Sequence, residues 1–170
     1  MTQTASSLLS LPPALKLMRP HHWIKSGFVA APLFFTPSVV AWPTIGQVAL
    51  GILAWSFVAS AVYILNDWKD READRLHPTK KNRPLAAGTV SSTMALILLV
   101  SLLLSSLVLS LFLGAGYALC LGLYFLINLA YSHSLKHIAI VDVMCIAMGF
   151  VLRVLAGAAI IAVAPSPWII

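Results

Sequence analysis

Residues 91–113 read SSTMALILLVSLLLSSLVLSLFL, an apolar stretch without a single charged side chain. A helix that crosses the hydrocarbon core of a bilayer needs about 20 such residues, so this stretch is long enough to span a membrane. Four more apolar segments can be drawn, at residues 24–42, 45–65, 117–131 and 138–163. None shows the alternation of a membrane β-barrel, so helices are the remaining choice in lipid. The sequence therefore predicts an all-α, polytopic transmembrane bundle with about five spanning helices.

The composition also indicates a membrane protein. The chain has 170 residues, of which 60% are hydrophobic and 9% are charged. In an ordinary soluble domain roughly 25% of the residues are charged. We therefore expect residues 1–170 to form a single domain that is integral to the membrane.

The positive charges of the chain indicate its topology. The formal net charge is +6, and ten of the eleven Lys and Arg residues lie in residues 16–25, in residues 69–83 and at Lys136. Short cytoplasmic loops accumulate Lys and Arg, so we expect the amino terminus and the connection at 69–83 to be cytoplasmic. A nucleic-acid binder would instead need a basic patch on a soluble module. Nucleic acid is therefore not an expected partner.

The most informative polar segment is YILNDWKDREADRLHPTKKNRPLAAG at residues 63–88, which begins inside the second apolar segment. On a helix of 3.6 residues per turn, five of its side chains fall at i, i+3, i+4, i+7 and i+11 and share a narrow face. These five are Tyr63, Asn66, Asp67, Asp70 and Asp74. The same face continues through Ser60 and Ser56. Polar groups in a membrane face the bundle interior, so the pattern predicts a cavity.

Three carboxylates on one face repel each other unless a cation lies between them. Oxygen ligands suit Mg2+ better than zinc or iron, and Mg2+ is commonly held by a few carboxylates together with substrate phosphates. We therefore assign Asp67, Asp70 and Asp74 as metal ligands and catalytic residues. The alternative is that they only neutralise neighbouring cations on a solvated loop. Those neighbours are Lys69, Arg71 and Arg75.

Several cations elsewhere are candidates for substrate contacts. Lys80 and Arg83 follow the aspartates and can meet phosphate oxygens. Lys25 can also reach a phosphate, or it can act as a positive anchor at the membrane interface. Arg153 lies inside the last apolar segment, where an ionisable group is a functional hypothesis. For this arginine, substrate contact and pairing with another helix are both open. Gly157 is expected to permit close helix approach.

Five strings of the sequence together resemble the UbiA-type membrane prenyltransferase superfamily. They are RPHHWIK (19–25), NDWKDREAD (66–74), DRLHPTKKNRPLAAG (74–88), YSHSLKH (131–137) and DVMCIAMGFVLRVLAGA (142–158). The second string is similar to the first aspartate-rich motif of the superfamily, N-D-x-x-D-x-x-x-D. Together the strings look closest to the branch that contains the decaprenyl-phosphate phosphoribosyltransferases of actinobacterial cell-wall synthesis.

The resemblance implies a Mg2+-dependent transferase in a bacterial plasma membrane. Such an enzyme moves phosphoribose from phosphoribosyl pyrophosphate to a polyprenyl phosphate and releases pyrophosphate. Carried over by motif, the residues for metal and diphosphate are Asn66, Asp67, Asp70 and Asp74, and those near phosphate are Tyr131 and Lys136. The superfamily has about nine spanning helices and a second aspartate motif after the sixth. The chain is therefore expected to be the amino-terminal part of a larger domain.

Two other functions stay open at this point. A prenyltransferase of the same architecture would bind the lipid diphosphate, rather than the sugar diphosphate, at the metal and would attach the prenyl group to an aromatic or other acceptor. A transporter would need a polar route across the bilayer, whereas the polar residues here are concentrated at one surface. The sequence predicts no particular oligomeric state.

Overall fold

The structure, a computed structural model, describes residues 11–133 and 139–164, and in those two ranges it contains helices and no strand. The α-helices there are α1 Pro13–Met18, α2 Ala31–Phe35, α3 Trp42–Lys69, α4 Arg71–Leu76, α5 Ser92–Leu113, α6 Ala115–His133 and α7 Ala139–Ile160. The 3-10 segments are Pro20–Ala30, Pro37–Val39 and Lys80–Asn82.

Helices α3, α5, α6 and α7 are long and apolar enough to cross a membrane. The predicted all-α, polytopic membrane fold is thereby confirmed. The ends of α5 follow from local chemistry. Ser91 caps its start, because the Ser91 Oγ accepts a hydrogen bond from the backbone N–H of Met94 at 3.1 Å. Gly114 ends it with a φ of 95°, a conformation that favours glycine, and α6 begins at the next residue.

The first predicted spanning segment, residues 24–42, differs from the expected regular helix. The chain instead forms the 3-10 segment Pro20–Ala30, continues as α2 and turns at Pro37–Val39. Each of these three elements has a proline in its first turn. Proline lacks the N–H that a continuous α-helix requires, so the segment is broken into pieces. With a rise of about 2.0 Å per residue, the 11 residues of Pro20–Ala30 extend about 22 Å.

Helix α3 is the centre of the bundle and contacts α5, α6, α7 and the Pro20–Ala30 segment. Polar side chains of two neighbouring helices bind its backbone. The Ser106 Oγ of α5 donates to the Ala54 carbonyl at 2.8 Å, and the Tyr117 hydroxyl of α6 donates to the Gly51 carbonyl at 2.7 Å. Such interhelical hydrogen bonds matter in lipid, because the hydrophobic effect does not drive helices together there.

The Pro20–Ala30 segment packs closely against α7 at Gly157. A Cβ at Gly157 would overlap the carbonyl oxygen of Val29 and would lie 3.1 Å from the ring of Pro32. Glycine is therefore required at this crossing. The prediction that Gly157 permits a close approach is confirmed, although its neighbour is a 3-10 segment.

A second apolar cluster holds two basic segments beside the carboxyl end of α3. Leu17 of α1 and Leu85 of the α4–α5 connection pack with Ile64 of α3, and all three side chains are buried. Arg19 and Arg83 each lie two residues from one of these leucines. The apolar contacts therefore bring two arginines, from distant parts of the sequence, to the place where the aspartates begin.

Candidate metal and diphosphate site

The aspartate stripe begins on the last turn of α3 and crosses a break in the helix. Helix α3 ends at Lys69, and Asp70 links it to α4 with φ −89° and ψ 4°. The backbone N–H of Asp70 still donates to the Asn66 carbonyl, and that of Asp74 donates to the Asp70 carbonyl. Asp74 thus lies on α4 rather than on the single helix that the sequence predicted. The winding continues closely enough to keep it beside Asp67.

Two of the three aspartates are buried and share one arginine. Asp67 is 2% exposed and Asp74 is 3% exposed. The Arg83 Nη1 donates to the Asp67 Oδ1 at 3.1 Å and to the Asp74 Oδ2 at 2.7 Å. The Arg19 Nη2 donates to the same Asp67 oxygen at 2.6 Å. We call these four side chains, Arg19, Asp67, Asp74 and Arg83, the buried cluster.

The cations adjacent in sequence have other partners. Arg71 and Arg75 both bind Glu72, at 2.8 Å in each case, and we call these three residues the exposed cluster. The Lys69 Nζ donates to the Ser132 carbonyl at 2.6 Å. The hypothesis that Asp67, Asp70 and Asp74 only neutralise their sequence neighbours therefore does not describe the buried cluster, whose cations come from 48 and 16 residues away.

A cavity of about 230 Å³ opens beside these groups, and we call it the aspartate cavity. Its lining residues are Arg19, Tyr63, Asn66, Asp67, Asp70, Lys80, Arg83, Tyr131 and Ser132. The sequence-predicted residues Asn66, Asp67, Asp70, Lys80, Arg83 and Tyr131 are therefore brought together. Asp74 is connected to this wall through Arg83. Lys136 lies outside the described residues.

The oxygen groups of the aspartate cavity fit a hard cation. Asn66 Oδ1 is buried and has no hydrogen-bond partner among the described residues, so it presents an acceptor beside Asp67. Across residues 11–133 and 139–164, no three His, Cys, Asp or Glu side chains are grouped closely enough to hold a metal by themselves. Mg2+ commonly takes only one or two carboxylates and completes its shell with water and substrate phosphate. The donor set is consistent with that mode of binding.

A second cavity, of about 120 Å³, adjoins the first and shares Tyr63 and Tyr131 with it. We call it the Arg153 cavity, and Lys25 also lines it. The Tyr131 hydroxyl donates to the Asp142 Oδ1 at 2.7 Å. The two sequence-predicted cations that are remote from the aspartates, Lys25 and Arg153, therefore meet in this second cavity.

Arg153 contacts other helices, as one of the two sequence alternatives predicts, and it also lines a cavity. The side chain is 6% exposed, and its Nη1 donates to the Gly149 carbonyl at 2.6 Å. Its guanidinium carbon lies 4.9 Å from the ring centre of Tyr124 on α6 and 5.4 Å from that of Trp55 on α3. Arg153 is thus packed between helices and also borders the Arg153 cavity.

The prediction that the polar face continues through Ser56 and Ser60 along a cavity is wrong. The Ser56 Oγ donates to the Ile52 carbonyl within α3. The Ser60 Oγ donates to the Met18 carbonyl and accepts from the Trp23 indole at 2.9 Å. Both serines are buried in helix packing, and neither borders a cavity described above. Tyr63 and Tyr131, rather than the two serines, line both cavities.

Arg19 is the residue of the site that the sequence did not reveal. Besides its bond to Asp67, its guanidinium lies 4.9 Å from the ring centre of Tyr63. Its φ of 52° is rare for a non-glycine residue, and such conformations cluster at functional sites. The RPHHWIK string contains Arg19, but no periodic pattern relates it to a helix 48 residues later.

These features define a polytopic membrane protein with adjoining polar cavities, one of which combines carboxylates with several cations. The chain belongs to the UbiA prenyltransferase family, whose model matches residues 26–170. The family match includes α3 to α7 and therefore both cavities, with the exception of Arg19 and Lys25.

Curated relatives narrow the comparison. The chain is 38% identical to the decaprenyl-phosphate phosphoribosyltransferase of Mycolicibacterium smegmatis over 91% of this chain and 50% of that protein. It is also 38% identical to the Corynebacterium glutamicum enzyme of the same name, over 91% of this chain and 48% of that protein. It is 34% identical to the Mycobacterium tuberculosis enzyme of that name, over 96% of this chain and 58% of that protein. The chain thus spans about half the length of these relatives.

Solved structures show the same fold. A UbiA homologue from Archaeoglobus fulgidus bound to DMAPP and Mg2+ matches with a TM-score of 0.77, and the same homologue bound to GPP and Mg2+ matches with 0.74. The sequence identity is 25%, over 91% of this chain and 56% of the homologue. The expected family is therefore supported by both sequence and structure.

Proposed function

We propose that the protein containing this chain transfers phosphoribose from phosphoribosyl pyrophosphate to a polyprenyl phosphate and releases pyrophosphate. The carrying observation is the aspartate cavity, which the buried Asp67 and the half-buried Asp70 line together with two arginines. One of these arginines, Arg83, also binds the buried Asp74. The 38% identity to two decaprenyl-phosphate phosphoribosyltransferases supports this choice of substrates. We also propose that residues 1–170 form one domain, the amino-terminal part of a larger UbiA domain.

The proposed metal ligands are Asp67, Asp70 and Asp74, with the unpartnered Asn66 oxygen beside them. When bound, Mg2+ would withdraw negative charge from the diphosphate oxygens. Arg83 bridges two of these carboxylates in the structure. We propose that its guanidinium turns from the carboxylates towards the diphosphate when substrate enters.

Lys80 and Arg83 have a role in the displacement of pyrophosphate. Breaking the bond between the ribose C1 and the pyrophosphate oxygen builds positive charge on carbon and negative charge on the leaving oxygen. The positive charges of these two side chains stabilise the negative charge on the leaving oxygen. An oxygen of the acceptor phosphate forms the new bond to C1, and the bonding pair of the broken bond leaves with pyrophosphate. The acceptor phosphate is already nucleophilic, so no general base is needed.

We propose that the aspartate cavity opens to the cytoplasm. The described basic residues of the amino-terminal segment and of the α4–α5 connection converge on this end of the bundle. Lys and Arg accumulate on the cytoplasmic side of membrane proteins. A charged sugar diphosphate would then reach the site from the cytosol, while the lipid acceptor enters from the bilayer. Tyr131, near the end of α6, and Lys136, which follows it in the sequence, stay proposed phosphate contacts.

Prenyl transfer to another acceptor is the second candidate. It is favoured by one observation, that the homologue of known structure was solved with the prenyl diphosphates GPP and DMAPP together with Mg2+. In that case the lipid diphosphate would be the ligand of the aspartate cavity.

Transfer assays on the full-length protein in liposomes distinguish the two candidates. One assay supplies labelled phosphoribosyl pyrophosphate, decaprenyl phosphate and Mg2+, and we expect a labelled lipid that is absent when EDTA replaces Mg2+. The other supplies labelled decaprenyl diphosphate and 4-hydroxybenzoate, and we expect no transfer. A prenylated aromatic product, with no labelled phosphoribosyl lipid in the first assay, would overturn the proposed function.

A further inference from the structure

The Arg153 cavity is lined by a buried arginine that has no ionic partner in the part of the chain that the structure describes. Arg153 is 6% exposed within a membrane-spanning helix, and the described part of the chain supplies no carboxylate to pair with it. Its Nε is buried and has no hydrogen-bond partner among the described residues. An unpaired cation at membrane depth is costly, and such residues characteristically serve a ligand or a pathway.

The surroundings of Arg153 orient its guanidinium without neutralising it. The Nη1 is fixed by the Gly149 carbonyl, one turn earlier in α7, so the side chain points back towards the end of α7 that carries Asp142. The Tyr124 hydroxyl lies 3.5 Å from the Nη2. Aromatic rings of Trp55, Tyr124 and Phe150 surround the charge. Rings stabilise a cation weakly and leave its donors available to an anion.

The only carboxylate of this cavity, within the described residues, is Asp142. Its Oδ1 already accepts the Tyr131 hydroxyl. The Arg153 guanidinium reaches back along α7 to Gly149. Gly149 is seven residues after Asp142, so the two charges are separated by about 10 Å along the helix axis. Lys25 adds a second cation to the lining. The end of the cavity at Arg153 is therefore positive.

We propose that the Arg153 cavity binds a phosphate monoester, and that this is the headgroup of the polyprenyl phosphate acceptor. The assignment rests on the proposed function for the identity of the lipid. The aspartate cavity and the Arg153 cavity share Tyr63 and Tyr131, so a phosphate bound by Arg153 would be next to a sugar whose diphosphate lies at Asp67. A monoester needs a cationic fork and hydroxyl donors rather than a metal.

The membrane side of the cavity suits a lipid rather than a free sugar phosphate. Ile146 and Phe150 line it, and both belong to α7. Val143, Met144 and Ile146 leave α7 with large apolar exposed surfaces between the levels of Asp142 and Gly149. A headgroup at Arg153 would therefore have apolar surface beside it along which a prenyl chain can lie. The alternative source of the same chemistry is the 5-phosphate of the sugar donor.

Binding assays without turnover test this proposal. The full-length protein in detergent is titrated with farnesyl phosphate, with farnesol and with ribose 5-phosphate, all in EDTA so that no metal supports the aspartate cavity. We expect farnesyl phosphate to bind more tightly than farnesol, and Arg153→Gln to weaken farnesyl phosphate binding about tenfold or more. This corresponds to the loss of a hydrogen bond to a charged group. Ribose 5-phosphate binding should be unchanged.

Matched variants control for folding. Arg75→Gln removes an arginine of the exposed cluster and should leave farnesyl phosphate binding unchanged. If Arg153→Gln does not fold, Tyr124→Phe removes only the hydroxyl beside Arg153, and it should weaken farnesyl phosphate binding about threefold. Arg153→Lys should recover part of the affinity that Arg153→Gln loses.

Each alternative outcome is informative. Equal binding of farnesyl phosphate by the wild type, Arg153→Gln and Tyr124→Phe would overturn the proposal. A selective loss of ribose 5-phosphate binding would overturn the lipid assignment and give the site to the sugar donor. Because no catalysis is measured, these outcomes stay separate from the transfer assay. A protein that binds farnesyl phosphate through Arg153 but makes no phosphoribosyl lipid would contradict only the proposed function.

Discussion

The carboxylates of the buried cluster and of the exposed cluster lie within one stretch of chain, residues 67–74, and both bind arginines, yet they differ in exposure. In the buried cluster the side chains of Asp67 and Asp74 are 2% and 4% exposed. In the exposed cluster Glu72, which lies between them in sequence, is 68% exposed. In the buried cluster Arg83 bridges two carboxylates, whereas in the exposed cluster two arginines bind the single carboxylate of Glu72. The difference is where the arginines come from.

The exposed cluster is local, whereas the buried cluster is assembled by the fold. Arg71 and Arg75 reach Glu72 from one and three residues away, and solvent-exposed pairs of this kind contribute little to stability. Arg19 reaches Asp67 across 48 residues, because the α1 segment packs on α3. Removing one partner of a buried pair is costly, since the other charge is left without compensation. Charge content alone therefore does not identify a site, whereas burial with remote partners does.

The largest expected contrast between the clusters is in catalysis. Asp67→Asn removes a charge from the proposed metal site, and we expect the kcat for phosphoribosyl transfer to fall about a hundredfold or more, because transition-state charge is no longer stabilised. Glu72→Gln makes the same chemical change in the exposed cluster and should keep kcat within about twofold. Initial rates at saturating substrates measure both. Equal losses in the two variants would contradict the distinction between the clusters.

The second contrast is in stability and depends on Mg2+. Arg83→Gln leaves Asp67 and Asp74 facing each other without their shared cation, and we expect the free energy of unfolding in EDTA to fall by about 1–3 kcal/mol. Mg2+ should recover much of the loss by entering between the carboxylates. Thermal unfolding in detergent, with and without Mg2+, measures this effect. Arg75→Gln is the control and should show no Mg2+-dependent change. An Arg83→Gln protein indifferent to Mg2+ would argue against a cation site there.

Sequence alone could predict the aspartate side of the buried cluster. Helical spacing put Asn66, Asp67 and Asp70 on one face, and these three residues do line the aspartate cavity. Helical spacing is sufficient for these residues because α3 stays regular as far as Lys69. It was less accurate for Asp74, since the helix breaks at Asp70, and it failed for Ser56 and Ser60, whose hydroxyls bind backbone carbonyls.

The arginine side of the cluster could not be predicted in the same way. The partnership of Arg19 with Asp67 depends on how α1 packs against α3, which is a tertiary contact without a local signature. The broken segment from Pro20 to Val39 was also missed as such, because its apolar composition resembles that of a spanning helix. The prolines in the first turn of each short helix are the feature of the sequence that indicates the break. Gly157 was recognised as a contact residue, but its partner was not.

A third, smaller contrast concerns how each arginine contacts its neighbours. Arg19→Lys keeps the charge but loses the planar fork and the contact with the Tyr63 ring. We expect the KM for phosphoribosyl pyrophosphate to rise about three- to tenfold, with a smaller change in kcat, because Arg19 lines the cavity in which we propose that the donor diphosphate binds. Steady-state kinetics separate the two parameters. The control is Arg71→Lys in the exposed cluster, for which an equal rise in KM would count against a site role for Arg19.

The smallest effect belongs to Glu72, and it depends on pH. Hydrogen bonds from Arg71, followed by those from Arg75, hold the pKa of the Glu72 carboxyl below its ordinary value of 4.5. A lowered pKa means that the ion pairs stabilise the folded state above the ordinary pKa and lose this effect as the pH falls through the folded value. Glu72→Gln should therefore lower the unfolding temperature by less than about 2 °C at pH 7. Below the folded pKa the shift should vanish.

Salt gives the same contrast between the two clusters by an independent route. Solvent-exposed charges are screened at high ionic strength, whereas buried pairs are screened much less. The small difference between Glu72→Gln and the wild type at pH 7 should therefore disappear in about 1 M NaCl, while the loss in Arg83→Gln persists. Thermal unfolding of the three proteins in low and high salt measures this. If Arg83→Gln behaved like Glu72→Gln in salt, the Arg83 pairs would be as solvated as those of Glu72, and the basis for placing a cation site at Asp67 would be lost.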